Sequence, residues 1–132
     1  MIKQNSGKII NMGSLSGLVG LTTTAVYGVA KAGIIELTKL FAMALARYGV
    51  QVNCIVGGPI LTPTIGDQKE AMSMGRFIPV GYADKPEGLA ALAVYLASEA
   101  SSYVTGATYI TDGGIMAGRY APIGYTPYIP MK

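Results

Sequence analysis

Residues 7–31 read GKIINMGSLSGLVGLTTTAVYGVAK, and the order of signals in this stretch decides the fold. Lys8 to Met12 is a mainly apolar run that predicts a short buried strand. A Gly-rich turn from Gly13 to Gly20 follows, carrying Ser14 and Ser16. Thr22, Thr23 and Thr24 then supply N-cap candidates for a long helical pattern. Tyr27 falls in or near the first turns of that helix. Lys31 comes four residues later and shares its face.

That spacing suits proton transfer. A phenol has a pKa of about 10 and exchanges protons poorly near neutral pH. A neighbouring ammonium favours the phenolate, and the positive end of a helix adds to the effect. Tyr27 is thus a candidate general acid/base, and Ser14 can donate a hydrogen bond to the carbonyl or alkoxide oxygen being protonated. With nine Tyr in the chain, a Tyr four residues before a Lys arises readily by chance. An amphipathic helix with a packed Tyr and a solvated Lys would read the same way. The rest of the chain decides between these readings.

The chain has 132 residues, enough for one domain. Apolar residues make up 51%, charged residues 13%, and mean hydropathy is +0.42, the dry composition of strands and helices covered on both sides. The longest apolar candidate, residues 25–46, is interrupted by Lys31, Glu36 and Lys39, so no membrane span is expected. The first seven residues lack the apolar core of a signal peptide. A scattered net charge of +3 gives no footprint for nucleic acid. There is no His, which removes Ser–His and Cys–His nucleophile pairs and the commonest zinc ligand, and no metal site is expected. The single Cys54 lies in an apolar run and reads as a buried residue of a reducing, cytoplasmic protein.

Along the chain, the helix over about 25–47 puts Val29, Ala32, Ile35 (or Ile34), Phe41 and Leu45 at helical spacing, and Gly49 is suited to end it. Val50 to Val56 predicts a second buried strand, closed by Gly57-Gly58-Pro59. Residues 62–80 read as a long irregular segment with a short helix around Lys69 to Met74, of a length often used for lids. Asp84-x-x-Glu87 resembles a capping box with Pro86 early in a helix running to about Ser98. Ala107 to Thr111 predicts a third strand, ended by Asp112-Gly113-Gly114. The tail from Ile115 to Lys132 is rich in Pro and Tyr and reads as an extended arm. The sum is β-α-β-loop-α-β, the alternation of a parallel α/β sheet. Ser14, the Gly58–Thr62 turn and Asp112 each follow the carboxyl end of a strand, the edge where such sheets bind ligands.

These motifs match a family. Asn11-Met12-Gly13-Ser14, Tyr27-Gly28-Val29-Ala30-Lys31, Val52-Asn53 and Gly58-Pro59-Ile60-Leu61-Thr62-Pro63 occur in order, followed by Pro86-Glu87, Ser102-Tyr103-Val104-Thr105-Gly106 and Asp112-Gly113-Gly114. Over about residues 5–114 the chain resembles the carboxyl half of a single-domain short-chain dehydrogenase/reductase. The resemblance implies a Rossmann-like parallel sheet with helices on both faces and hydride transfer between NAD or NADP and a small-molecule alcohol or carbonyl. It implies Tyr27 as general acid/base, Ser14 as the substrate-orienting hydroxyl, and Lys31 as the lysine that binds the nicotinamide ribose and lowers the tyrosine pKa. Tyr27, Lys31, Gly58, Ile60 and Thr62 match cofactor-binding positions, and residues 63–80 match the substrate lid. Homo-oligomers, dimers or tetramers, are common in such a family.

The sequence departs from the pattern in three ways. Gly57 stands where Pro is usual, and Ala30 where a Ser often precedes the lysine. More consequential is that no G-x-G occurs in the 132 residues. The Gly-rich phosphate turn, the residue that selects NAD or NADP, and the family's catalytic Asn are all absent. The expectation is therefore a half-domain over residues 1–114 with a tail over 115–132, a fragment inactive alone. The alternative is a truncated, catalytically inactive product that keeps only an association surface. Sugar-nucleotide epimerases and dehydratases share the triad but have a longer substrate domain, and enoyl reductases of the same fold use a longer Tyr-to-Lys spacing.

Overall fold

The computed structural model describes residues 1–63 and 73–118. Three parallel strands form one sheet in the order β1-β2-β3, with β1 over Gly7–Ser14, β2 over Val50–Gly57 and β3 over Thr108–Thr111. Strand β1 runs further than the apolar run predicts, so that Ser14 is its last residue rather than part of a following turn. The register aligns Ser14 with Gly57, and Gly57 with Thr111, so the three carboxyl ends finish in one row.

Strand β2 is the core. Val50, Val52, Cys54, Ile55 and Val56 are all buried, and each fully buried Val or Ile contributes about 1.5–3 kcal/mol. Alternation divides its side chains between two layers. Val50, Val52, Cys54 and Val56 face helix α1, Ala25–Leu45, through Ile35 and Ala42. The opposite face carries Gly57, where an added Cβ would lie 3.9 Å from Leu89 of helix α2, Glu87–Ala97. The helices thus cover opposite faces while the strand order advances in one direction. The two crossovers therefore have opposite hands, and one of them departs from the usual right-handed connection.

Helix α1 differs from its expected apolar stripe. Its buried residues are Ile35, Thr38 and Ala42, whereas Val29 and Phe41 are exposed. Thr38 is tolerated in the core because its hydroxyl donates to the Ile34 carbonyl and accepts from Asn11 Nδ2, both at 2.9 Å. A 3-10 turn, Ala46–Tyr48, ends the helix. Gly49 follows with φ 66°, and a Cβ there would run into the Asn5 carbonyl.

Local details differ from expectation. The capping box does not form, because Asp84 Oδ1 accepts from the adjacent Lys85 N–H at 2.8 Å and the residue preceding α2 is Pro86, without a side-chain cap. Of the segment expected as a lid over about 62–80, residues 64–72 lie outside the described residues; in the remainder Gly75–Phe77 is a 3-10 turn, Ile78 is 2% exposed, and Val80 N donates to the Gly113 carbonyl at 3.1 Å. Of the helix expected around Lys69 to Met74, Ser73 and Met74 are helical, and the remainder lies outside the described residues. The tail opens with a 3-10 turn, Ile115–Ala117, instead of an extended arm, and 119–132 lie outside the described residues.

Candidate active site

Ser14 caps the 3-10 turn Leu15–Gly17 that follows β1, its Oγ accepting from the Ser16 N–H at 3.3 Å. The turn leaves the sheet edge and meets the first turns of α1. Tyr27 and Lys31 lie there, in the helix's opening two turns. Lys31 Nζ donates to the Met12 carbonyl on β1 at 2.9 Å and sits 5.6 Å from the centroid of the Tyr27 ring. That contact is within cation–π range, so the ammonium lies against the ring and the strand together. One hydrogen bond leaves two of the lysine's three N–H donors free for other acceptors. Tyr27 is 49% exposed, which leaves its ring open on one side.

Thr24 occupies the N-cap position of α1 as its residue type predicts, yet its side chain makes no capping bond. Its Oγ1 is buried without a partner among the described residues. It lines a 260 Å³ hollow with Ser16, Val19, Leu21, Gly28 and Ala32. None of Ser14, Tyr27 and Lys31 borders that hollow. Among the described residues no group of three His, Cys, Asp or Glu could hold a metal ion.

Beyond β2, Gly58 N donates to the Thr111 carbonyl at 2.9 Å. An added Cβ at Gly58 would lie 2.7 Å from Asp112 Cα, so this glycine has a packing reason of its own. Ile60 forms a parallel bridge with Asp84. Leu61 N donates to the Asp84 carbonyl at 2.7 Å, and Asp84 N donates to the Pro59 carbonyl at 3.2 Å. The segment carrying Ile60 is therefore held at the carboxyl edge, and Thr62 follows it partly buried. Sequence reasoning missed this clamp. Its bonds are backbone to backbone, so the Asp84 side chain carried no signal of it.

Asp112 fastens the end of β3, accepting from Gly114 N at 2.8 Å and from Met116 N at 2.7 Å. Cys54 is fully buried. Desolvation raises its pKa above the ordinary 9.0, against smaller lowering effects of the Gly13 backbone, Thr38 and Lys31. The thiol is therefore a neutral core residue. Among the described residues no helix is long and apolar enough to cross a membrane.

Comparison with known proteins adds a family to this geometry. Residues 1–116 match the family model described as enoyl-(acyl carrier protein) reductase. The chain is 41% identical over 118 residues to the 3-oxoacyl-(acyl carrier protein) reductase of Chlamydia pneumoniae, covering 87% of this chain and 47% of that protein. It is 40% identical over 124 residues to the 2-keto-3-deoxy-L-fuconate dehydrogenase of Xanthomonas campestris, covering 86% and 41%. The gluconate 5-dehydrogenase of Burkholderia cenocepacia, solved in complex with NADP and tartrate, superposes with a TM-score of 0.82 at 31% identity, covering 89% of this chain and 48% of that one. The chain spans about half the length of the curated relatives it matches. The family description names one activity and the relatives carry others, so what they share is the fold and the family. The chain belongs to the short-chain dehydrogenase/reductase family.

Proposed function

We propose that this chain is the carboxyl-terminal half, over residues 1–114, of an NAD(P)-dependent oxidoreductase acting on small-molecule alcohols or carbonyls. Tyr27 exchanges the proton with the substrate oxygen, Ser14 holds that oxygen by a hydrogen bond, and Lys31 binds the cofactor's ribose beside Tyr27. The observation that carries the reading is the Lys31 side chain, bonded to Met12 at 2.9 Å and 5.6 Å from the Tyr27 ring centroid, on the strand that ends in Ser14.

The residues present fit one end of a dinucleotide. Lys31 keeps two donors for ribose hydroxyls. Ile60 and Thr62 stand beyond β2, which pairs with β1 at Ser14, and with Gly58 they are assigned to the nicotinamide side. No G-x-G turn in the sequence can cradle the pyrophosphate, so the adenosine end requires residues from elsewhere. When bound, the cofactor supplies the two-electron hydride donor or acceptor. In oxidation the substrate hydroxyl gives its proton to the Tyr27 phenolate, and in reduction Tyr27 returns it to the alkoxide oxygen. Cys54 agrees with a reducing, cytoplasmic setting.

The test is fluorescence titration of the full-length protein with NADH and NADPH, followed by assay with ethyl acetoacetate and gluconate, chosen from the relatives' activities. Saturable binding and Tyr27-dependent turnover support the reading. Absence of binding to both cofactors would remove it.

A second reading rests on a different observation. The outward face of α1 exposes Val26 at 86%, Val29 at 75% and Met43 at 84%, apolar groups flanking the exposed Glu36–Lys39 ion pair, a face suited to pairing copies of this chain into a dimer or tetramer. Val26→Glu with Met43→Glu should shift sedimentation toward the monomer if that face associates. Unchanged sedimentation of the double variant would remove this role, whereas a protein that turns over nothing yet loses association in the double variant would keep this role alone.

A further inference from the structure

The turn that carries Ser14 and the helix that carries Tyr27 and Lys31 meet backbone to backbone, and a glycine stands on each side of the contact. A Cβ added at Gly17 would lie 2.6 Å from the Lys31 carbonyl carbon, 2.7 Å from Ala32 N and 2.9 Å from the Lys31 oxygen. One added at Gly28 would lie 2.8 Å from the Ser16 carbonyl oxygen. Ordinary contacts between carbons are about 3.5–4.0 Å, so a methyl at Gly17 forces a displacement approaching 1 Å, and one at Gly28, which meets a carbonyl oxygen, a displacement of roughly half that. Helix backbone cannot swing aside as a side chain would. The turn must move, and Ser16, whose N–H holds Ser14 Oγ at 3.3 Å, moves with it.

We propose that Gly17 and Gly28 are positioning residues that set the separation between the Ser14 hydroxyl and the Tyr27–Lys31 pair. The inference rests on the reading that these three side chains act together. Neither glycine is needed for a left-handed backbone, since the positive-φ glycines are Gly49, Gly81, Gly106, Gly113 and Gly114 among the described residues. What they supply is close approach. Reactive groups held by a backbone contact of this kind tolerate little error, because a misplacement of about 1 Å can cost about 100-fold in rate.

The same structure provides controls. Gly20, on the same turn, and Gly33, on the same helix, have nothing within 4 Å of an added Cβ. Alanine at Gly20 or Gly33 changes local propensity without pushing the elements apart.

The experiment compares Gly17→Ala, Gly28→Ala, Gly20→Ala and Gly33→Ala in the full-length protein. Readouts are kcat with ethyl acetoacetate, fluorescence titration with the nicotinamide cofactor that binds, and the amide NMR shifts of residues 14–18. Expected is a fall in kcat of about 30- to 100-fold for Gly17→Ala and Gly28→Ala, with cofactor affinity within about twofold and both controls near wild type. The double variant Ser14→Ala with Gly28→Ala should lose no more kcat than Ser14→Ala alone, because Gly28 acts through Ser14. Additive losses, or equal losses in the controls, would overturn the proposal. Should Gly17→Ala fail to fold, Gly28→Ala, with its single contact, carries the test. Should the wild-type protein bind neither cofactor and turn over nothing, the functional reading fails by itself. The amide shifts then decide the positioning claim: unmoved Ser14 and Ser16 resonances in Gly28→Ala refute it.

Discussion

Lys31 Nζ donates to the carbonyl of Met12, two residues before Ser14, at 2.9 Å. This bond runs from the second turn of α1 to the last turn's worth of β1, so a side chain on the helix is tied to the strand that presents the serine. The ammonium also lies 5.6 Å from the centre of the Tyr27 ring. Tyr27 and the Met12 carbonyl thus meet one lysine, whose charge is held by a carbonyl and an aromatic face rather than by a carboxylate.

Removing the Tyr27 hydroxyl tests the assigned proton transfer. Tyr27 is half exposed and its ring carries the contact with Lys31, so Tyr27→Phe should keep the fold and cofactor affinity. Turnover in the full-length protein should fall by about 100- to 10,000-fold, the range for losing a general acid/base. Steady-state kinetics beside a cofactor titration check this. Turnover close to wild type removes Tyr27 from its role.

Lys31→Met keeps the length of the side chain and deletes the donor. Cofactor affinity should weaken by about 10- to 100-fold, the worth of one charge-assisted hydrogen bond. The bond to Met12 is also lost, and since it is exposed the stability change should stay within about 1 kcal/mol. Fluorescence titration and urea unfolding on one preparation separate the two effects. Unchanged affinity would take the ribose contact away from Lys31.

Cys54 should give a pH signature with a definite sign. Burial raises its folded pKa above 9.0, so the unfolded chain loses the proton first as pH rises. Its contribution is fully present below about pH 9 and declines above that. The stability difference between wild type and Cys54→Ala should be constant from pH 6 to about pH 8 and shrink above pH 9. Urea midpoints across that range test it, and a difference growing with pH would refute burial as the cause. The native thiol should also resist thiol reagents until the protein unfolds.

Ile78 tests whether the segment before α2 belongs to the core. It is buried and packs near Gly113, while Val80, two residues on, is 55% exposed. Ile78→Ala should cost about 2–4 kcal/mol, whereas Val80→Ala should stay within about 1 kcal/mol. Equal small losses in urea unfolding would return the segment to the class of free lids.

Much of this protein was readable from local signals. The existence of β1 and β2 follows from the apolar runs Lys8–Met12 and Val50–Val56, though β1 continues through Gly13 to Ser14, and α1 follows from a helical pattern ended at Gly49. The Tyr27-to-Lys31 spacing alone puts both on one helical face. These features depend on a few neighbouring residues and on backbone preferences, so they survive without tertiary information. Tertiary structure decided the rest. Helix α1 is apolar nearly all round, so periodicity could not choose between the Ile35–Thr38–Ala42 face and the exposed Val29 and Phe41. Nor could side-chain patterns reveal the Asp84 clamp on Ile60 or the close approach at Gly17 and Gly28, because backbone atoms make those contacts. Residue identity records what a side chain prefers, whereas which backbones touch depends on how the strands and helices stack.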